Sequence, residues 1–215
     1  MKKHFHVEEH VMPLPVDTSR FSPTEEARIN GPIILCTAAL TVSRKRVKLL
    51  VKAFECLFEK RSDAVLILSG PSDVTTNREL LQSVNKRARE SIKIIGVGQE
   101  KNLPELYRRA SLTVLPSVHE AFGLVVIESL ASGTPVVGTR SGGIPDILDD
   151  PGVGVLFEPT GGYEELCNAL LRGLEISQDP KTGLRCRKHS ERYSWNTLGP
   201  QYEKCLQEVL DRNGQ

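Results

Sequence analysis

From residue 31 onward, short apolar runs alternate with longer stretches in which apolar residues return every three or four positions. The short runs are PIILCTA (32–38), AVLILSG (64–70), SIKIIGV (91–97), SLTVLPS (111–117), TPVVGT (134–139) and GVGVLFE (152–158). Most are continuously hydrophobic, as strands are when both faces of their sheet are covered. Between them, residues 44–60 set Leu49, Leu50, Ala53, Phe54, Leu57 and Phe58 on one stripe, and 77–90, 103–110, 123–132 and 162–177 have the same character. Strands that alternate with helices pair in parallel through right-handed crossovers, with helices on both faces. The pattern predicts an α/β fold, a doubly wound, Rossmann-like parallel sheet of about six strands.

Two segments stand outside the alternation. Residues 1–30 contain VMPLPVDTSRFSP, whose prolines punctuate an extended, turning arm. Residues 196–215 read as one more helix, with Leu198, Tyr202, Cys205, Leu206, Val209 and Leu210 as the apolar positions that pack it back on the domain and Trp195 as its anchor. The expected organisation is a hinge or arm over 1–30, a sheet domain over 31–195 and a closing helix over 196–215.

Composition narrows the function classes. A formal net charge of +1 gives no field to recruit nucleic acid or an anionic membrane, so an anion site has to be built locally. The five cysteines, Cys36, Cys56, Cys167, Cys186 and Cys205, are odd in number and never spaced as Cys-x-x-Cys. That argues against a disulfide framework and a zinc site, and reads as small buried hydrophobes in a reducing compartment. No apolar run approaches the roughly 20 residues that span a bilayer, and MKKHFHVEEH lacks the apolar stretch of a signal peptide. The expectation is a soluble, cytoplasmic chain.

Chemistry enters with HEAFGLVVIESLASGTPVVGTRSGGIPDIL, residues 119–148. Glu120 and Glu128 flank AFGLVVI, a run that by itself reads as core. With SLTVLPS as a strand, Glu120 lies on the loop at its carboxyl end, where open parallel sheets bind ligands, and Glu128 lies inside the following helix. The free N–H groups of Phe122, Gly123, Leu124 and Val125 then point out of the helix N-terminus, where the dipole favours negative charge. Gly123 lets a ligand approach the backbone. Carboxylate, anion cradle, carboxylate suits a ligand made of sugar, diphosphate and ribose. A solvated loop followed by an exposed helix face would show the same two glutamates, and Gly133 and Pro135 suit any helix stop before a strand. His119 reads as a loop residue.

A resemblance separates these readings. PSVHEAFGLVVIESLASGTPVVGTRSGGIPDIL resembles the donor-site signature of retaining, group 1 GT-B glycosyltransferases, which include sucrose-phosphate synthase-like and mannosyltransferase-like enzymes. It carries an E-x7-E pair, phenylalanine and glycine at the second and third places after the first glutamate, and a GG-x-P element downstream. VMPLPVDTSRF, KRVKLLVKAF, AVLILSG, IKIIGVG, LPELYRRASLTVLPS, GVGVLFEP and YSWNTLGPQYEKCLQEVL stand in that family's order. The likeness covers essentially residues 11–212, and it is to the C-terminal, nucleotide-sugar-binding half of such an enzyme.

The resemblance implies a hexosyltransferase whose donor is a nucleotide diphosphate sugar such as a UDP- or GDP-hexose. Glu120 would be the catalytic carboxylate, stabilising the sugar beside the reacting carbon, and Glu128 would hold the ribose hydroxyls. Phe122, Gly123, Leu124 and Val125 would offer amides to the diphosphate and hexose, Lys45 would neutralise the departing diphosphate, and the backbone near Val97 and Gly98 would meet the base. No metal or other cofactor is implied, since lysine and helix end would take the leaving group's charge. The acceptor would sit on an N-terminal domain, in a full-length enzyme or a separate subunit. Any peripheral membrane contact would run through that half, and the isolated chain would transfer slowly or not at all. Three positions depart from the family pattern: Ala39 stands where an arginine usually also grips the diphosphate, Arg46 where a glycine commonly follows the lysine, and Asp146 where glutamate is usual. Arg44 or Arg46 are the candidates to supply the missing charge.

Two other functions fit parts of the sequence. One is a non-catalytic nucleotide-sugar-binding or interaction module without the acceptor domain, which Ala39 suggests. The other is an epimerase of the related GT-B type, against which the phenylalanine–glycine helix start weighs.

Overall fold

A computed structural model describes residues 12–23, 31–96 and 103–213. At its centre is a six-stranded sheet of order β3-β2-β1-β4-β5-β6. The strands are β1 Ile33–Thr37, β2 Val65–Ser69, β3 Ile92–Ile95, β4 Leu112–Leu115, β5 Val136–Thr139 and β6 Gly154–Phe157, and every neighbouring pair is parallel. Each of the apolar runs in the sequence contains one of these strands. The helices are α1 Val47–Lys60, α2 Val74–Gln82, α3 Lys86–Glu90, α4 Leu103–Arg109, α5 Leu124–Ala131, α6 Ile144–Ile147, α7 Tyr163–Gln178, α8 Thr182–Ser190 and α9 Trp195–Asn213.

The helices bury the sheet from both sides. One core layer joins Leu50, Phe54 and Leu57 of α1 and Leu170 of α7 to Leu66 and Leu68 of β2. The other joins Tyr107 of α4, Val126 and Leu130 of α5 and Ile147 of α6 to Leu35 and Leu115. Leu66 and Leu68 thus face one layer while Ile67 between them packs against the other, which is why β2 reads as a continuous apolar run.

The structure departs from the sequence pattern in four places. The stretch 77–90 is two helices, because Asp73 and Asn85 each cap a separate start, accepting from the N–H of Thr76 and Ala88. Helices α6 and α8 were not expected: α6 is a single turn, and α8, TGLRCRKHS, buries Thr182, Cys186 and Ser190 rather than an aliphatic stripe. The described part of the arm is packed down. Val16 N–H donates to the Tyr193 carbonyl at 2.8 Å, and the Phe21 ring meets Tyr107 edge-on at 5.9 Å. Only the first turns of α9 pack as expected, since Leu198 is buried but Leu206, Val209 and Leu210 are exposed. Trp195 is 58% exposed, its ring tilted against that of Tyr202 at 6.4 Å.

Cys36, Cys167 and Cys186 are buried, and Cys56 and Cys205 are half-buried. Among the described residues no helix is long and apolar enough to cross a membrane.

Candidate functional site

The chain runs outward from β1 to β2 and β3 on one side and from β4 to β5 and β6 on the other. At such a reversal doubly wound proteins bind ligands in the crevice outside the carboxyl ends of the strands, here between the loops after β1 and β4. The loop after β1 carries Lys45, at the end of a short 3-10 turn over Ser43–Lys45. The loop after β4 carries Glu120. Far apart in sequence, the two side chains meet here: Lys45 Nζ lies 2.6 Å from Glu120 Oε2, with the side chains only 14% and 18% exposed.

Three backbone hydrogen bonds fix the Glu120 loop. Val118 N–H donates to the Arg44 carbonyl at 3.0 Å, which ties the loop to the lysine side. His119 N–H donates to Ser141 Oγ at 3.1 Å, and Gly143 N–H donates to the Glu120 carbonyl at 2.9 Å. His119 has φ of 56°, a left-handed conformation that histidine tolerates better than most residues. The two glycines of GGIPDIL lie flush against the loop. A Cβ on Gly143 would come within 2.9 Å of Phe122 Cα and one on Gly142 within 1.9 Å of the Glu120 carbonyl oxygen.

Helix α5 opens on Gly123, whose φ is 103° and which makes no side-chain cap. Among the described residues no backbone carbonyl accepts from the N–H groups of Phe122, Gly123, Leu124 or Val125, so these donors are left open at the positive end of the helix dipole. The Phe122 ring stacks edge-on against Tyr193 at 5.9 Å, which leaves its backbone to the site.

Glu128 lies one turn deeper on α5, half-buried. Its Oε2 accepts from the Tyr107 hydroxyl at 2.9 Å, and that hydroxyl lies 3.1 Å from Thr37 Oγ1 at the end of β1. Burial pushes the Glu128 carboxyl above its ordinary range, against the opposing pulls of the Tyr107 hydrogen bond and the Arg20 charge. An acid whose folded pKa is raised costs nothing where both states are protonated and loses stability as pH rises through the unfolded and then the folded value. Glu128→Gln is therefore expected to raise the melting temperature at neutral pH by a few degrees at most. The gain should vanish below about pH 4, which melting curves across pH will show.

The remaining positions sort plainly. Val97 and Gly98 lie outside the described residues. Ala39 sits in the loop after β1 and brings no charge. Of the two arginines that stood to replace it, Arg44 turns to the site, with Nη1 at 3.5 Å from Glu120 Oε2. Arg46 turns away, donating from Nη2 to the Gly161 carbonyl at 3.2 Å. The Arg46 backbone is left-handed, φ 52° and ψ 34°, a conformation that suits the glycine usual at this place.

Sequence reasoning missed Tyr107, Thr37 and the clamp formed by Gly142 and Gly143. Tyr107 in LPELYRRA looks like one more apolar position on a helix. The available signal was its hydroxyl, which in a fully buried tyrosine has to find a partner.

The family described as glycosyl transferases, group 1, matches residues 19–192. The N-acetyl-alpha-D-glucosaminyl L-malate synthase of Bacillus anthracis is 30% identical over 175 residues, a match that takes in 79% of this chain and 44% of that protein, so the chain spans less than half of that relative's length. The crystal structure of Anabaena Alr3699/HepE in complex with UDP superposes with a TM-score of 0.78 at 21% identity, over 90% of this chain and 56% of that one. The C-terminal domain of a glycosyl transferase group 1 family protein from Francisella tularensis does so with a TM-score of 0.69 at 24% identity, over 83% of this chain and 98% of that one. At these identities the structural likeness is one of fold.

Proposed function

The chain belongs to the glycosyl transferases group 1 family, and from that premise we propose that it is the donor-binding half of a retaining hexosyltransferase that uses a nucleotide diphosphate sugar. The observation that carries the reading is the Lys45–Glu120 pair at 2.6 Å, placed at the switch point beside an uncapped helix N-terminus. A leaving diphosphate gathers negative charge as the sugar–phosphate bond breaks. Lys45, the α5 amides and the exposed Arg44 supply fixed positive charge to it, with no metal required for that role.

The sugar gains positive character in the same step, and Glu120 offers it a carboxylate whose second oxygen has no protein hydrogen bond among the described residues. Glu128 takes the ribose hydroxyls. UDP, which the Anabaena neighbour binds in its crystals, is one candidate nucleotide. The acceptor belongs to a further domain, since the matched relatives are more than twice the length of the aligned region, and transfer takes place between the two halves.

Titration of the chain with UDP, GDP and ADP by calorimetry tests the reading, with Glu128→Ala as the control. One nucleoside diphosphate is expected to bind, and the variant to bind it about tenfold to a hundredfold more weakly, as befits lost hydrogen bonds to a charged group. A folded chain that binds none of the three overturns the reading.

A further inference from the structure

Tyr107 is wholly buried, yet its hydroxyl sits where two elements of the site converge, 2.9 Å from Glu128 Oε2 on α5 and 3.1 Å from Thr37 Oγ1 at the end of β1. A phenol has one proton and an ionised carboxylate can only accept. The Tyr107 proton therefore goes to Glu128, and the tyrosine oxygen accepts from the Thr37 hydroxyl. The result is a directed chain, Thr37 to Tyr107 to Glu128, in which each hydrogen bond polarises the next.

The chain settles how Glu128 can meet a ligand. Oε2 is taken by Tyr107, whereas Oε1 accepts no hydrogen bond among the described residues. One carboxylate oxygen has two lone pairs, enough for both hydroxyls of a cis-diol. An unheld glutamate would have to give up rotamer freedom to offer that oxygen in a fixed direction. Tyr107 is itself held, by the edge of Phe21 at 5.9 Å and through its backbone carbonyl, which accepts from Thr134 Oγ1 at 2.7 Å. The charged group that faces Glu128 from the arm is Arg20, which favours the ionised carboxylate. The Cys36 thiol beside Tyr107 is pushed up to about 12 by burial and stays neutral.

We propose that Tyr107 is the positioning residue for Glu128, turning Oε2 into the protein and presenting Oε1 to the two hydroxyls of a ribonucleotide's ribose. The proposal rests on the proposed function in taking the ligand to be a ribonucleotide. It makes Tyr107 a determinant of the preference for ribose over deoxyribose, although it touches no ligand.

The test uses Tyr107→Phe and the milder Thr37→Val, which leaves the tyrosine in place. UDP and GDP are titrated beside their 2′-deoxy counterparts, and the Glu128 carboxyl of the free chain is titrated by carbon-detected NMR. Tyr107→Phe is expected to weaken the bound ribonucleotide about tenfold, the size of one hydrogen bond to a charged group, to leave the deoxy form nearly unchanged, and to move the Glu128 titration upward. Thr37→Val is expected to shift the same readouts in the same direction by less. Ribo and deoxy forms weakening in parallel, or a Glu128 titration that stays in place, overturns the proposal, because lost packing alone would do that. A wild-type chain that binds none of the nucleotides removes the functional reading, and the carboxyl titration still decides whether Tyr107 sets Glu128.

Discussion

Gly142→Ala is expected to destabilise the fold by about 3 kcal/mol and to remove nucleotide binding with it. Two costs add. Gly142 has φ of 61°, where an L-residue is less favourable by roughly 1 kcal/mol. Its added methyl would also lie 1.9 Å from the Glu120 carbonyl oxygen, and a backbone atom cannot swing aside as a flexible side chain does. Relieving the overlap means moving one loop away from the other, a strain of about 1–3 kcal/mol. The loop that moves carries Glu120 and leads into the N-terminus of α5, so the damage falls on the site. Denaturant unfolding and a UDP titration on the same preparation check this. Wild-type stability combined with wild-type binding would show that the paired glycines do not clamp the loop.

Lys45→Met is expected to weaken nucleoside diphosphate binding a hundredfold or more while leaving the nucleoside's own contacts in place, so that UDP should suffer and uridine should not. The substitution keeps most of the length of the side chain and removes the charge from a group only 14% exposed. Stability should fall as well, because Glu120 keeps only the distant Arg44 guanidinium at 3.5 Å, and a half-buried carboxylate with its close partner removed is costly. The cycle with Glu120→Gln separates the two effects. Lys45→Met alone should destabilise more than the double variant, and the double variant's change less the sum of the two single changes is the coupling of the pair. Equal binding of UDP by the variant would take Lys45 out of the diphosphate site.

The sheet was legible because its information is local. β1 and β2 are each marked by an apolar run that needs no knowledge of its neighbours, and the alternation with helices fixes their parallel pairing. The two glutamates were singled out through the resemblance of the surrounding motif, their interval alone being a weak signal. What escaped were contacts between distant segments. Nothing in LPELYRRA announces that the Tyr107 hydroxyl will meet Glu128, and nothing in VDTSRF announces that Phe21 will brace it. The division of labour between Arg44 and Arg46 was equally hidden, because it depends on partners distant in sequence, Glu120 for the one and Gly161 for the other. The C-terminal helix was misjudged for the opposite reason. Its apolar positions repeat as a packed face would, but periodicity does not say how far along the helix the domain extends.

The start of α5 at Gly123 turns the interval between the two glutamates into an angle. The left-handed glycine and the loop locked against Gly143 fix where the helix begins, so Glu128 has one azimuth on it, the one that faces Tyr107. One residue inserted or deleted after Gly123 would rotate the carboxylate by about 100° around the helix axis. A deletion would swing it away from Tyr107 and an insertion would swing it the other way, with the crevice lost in both cases. Apart from Gly123, the positions between the glutamates can therefore change in identity far more freely than in number.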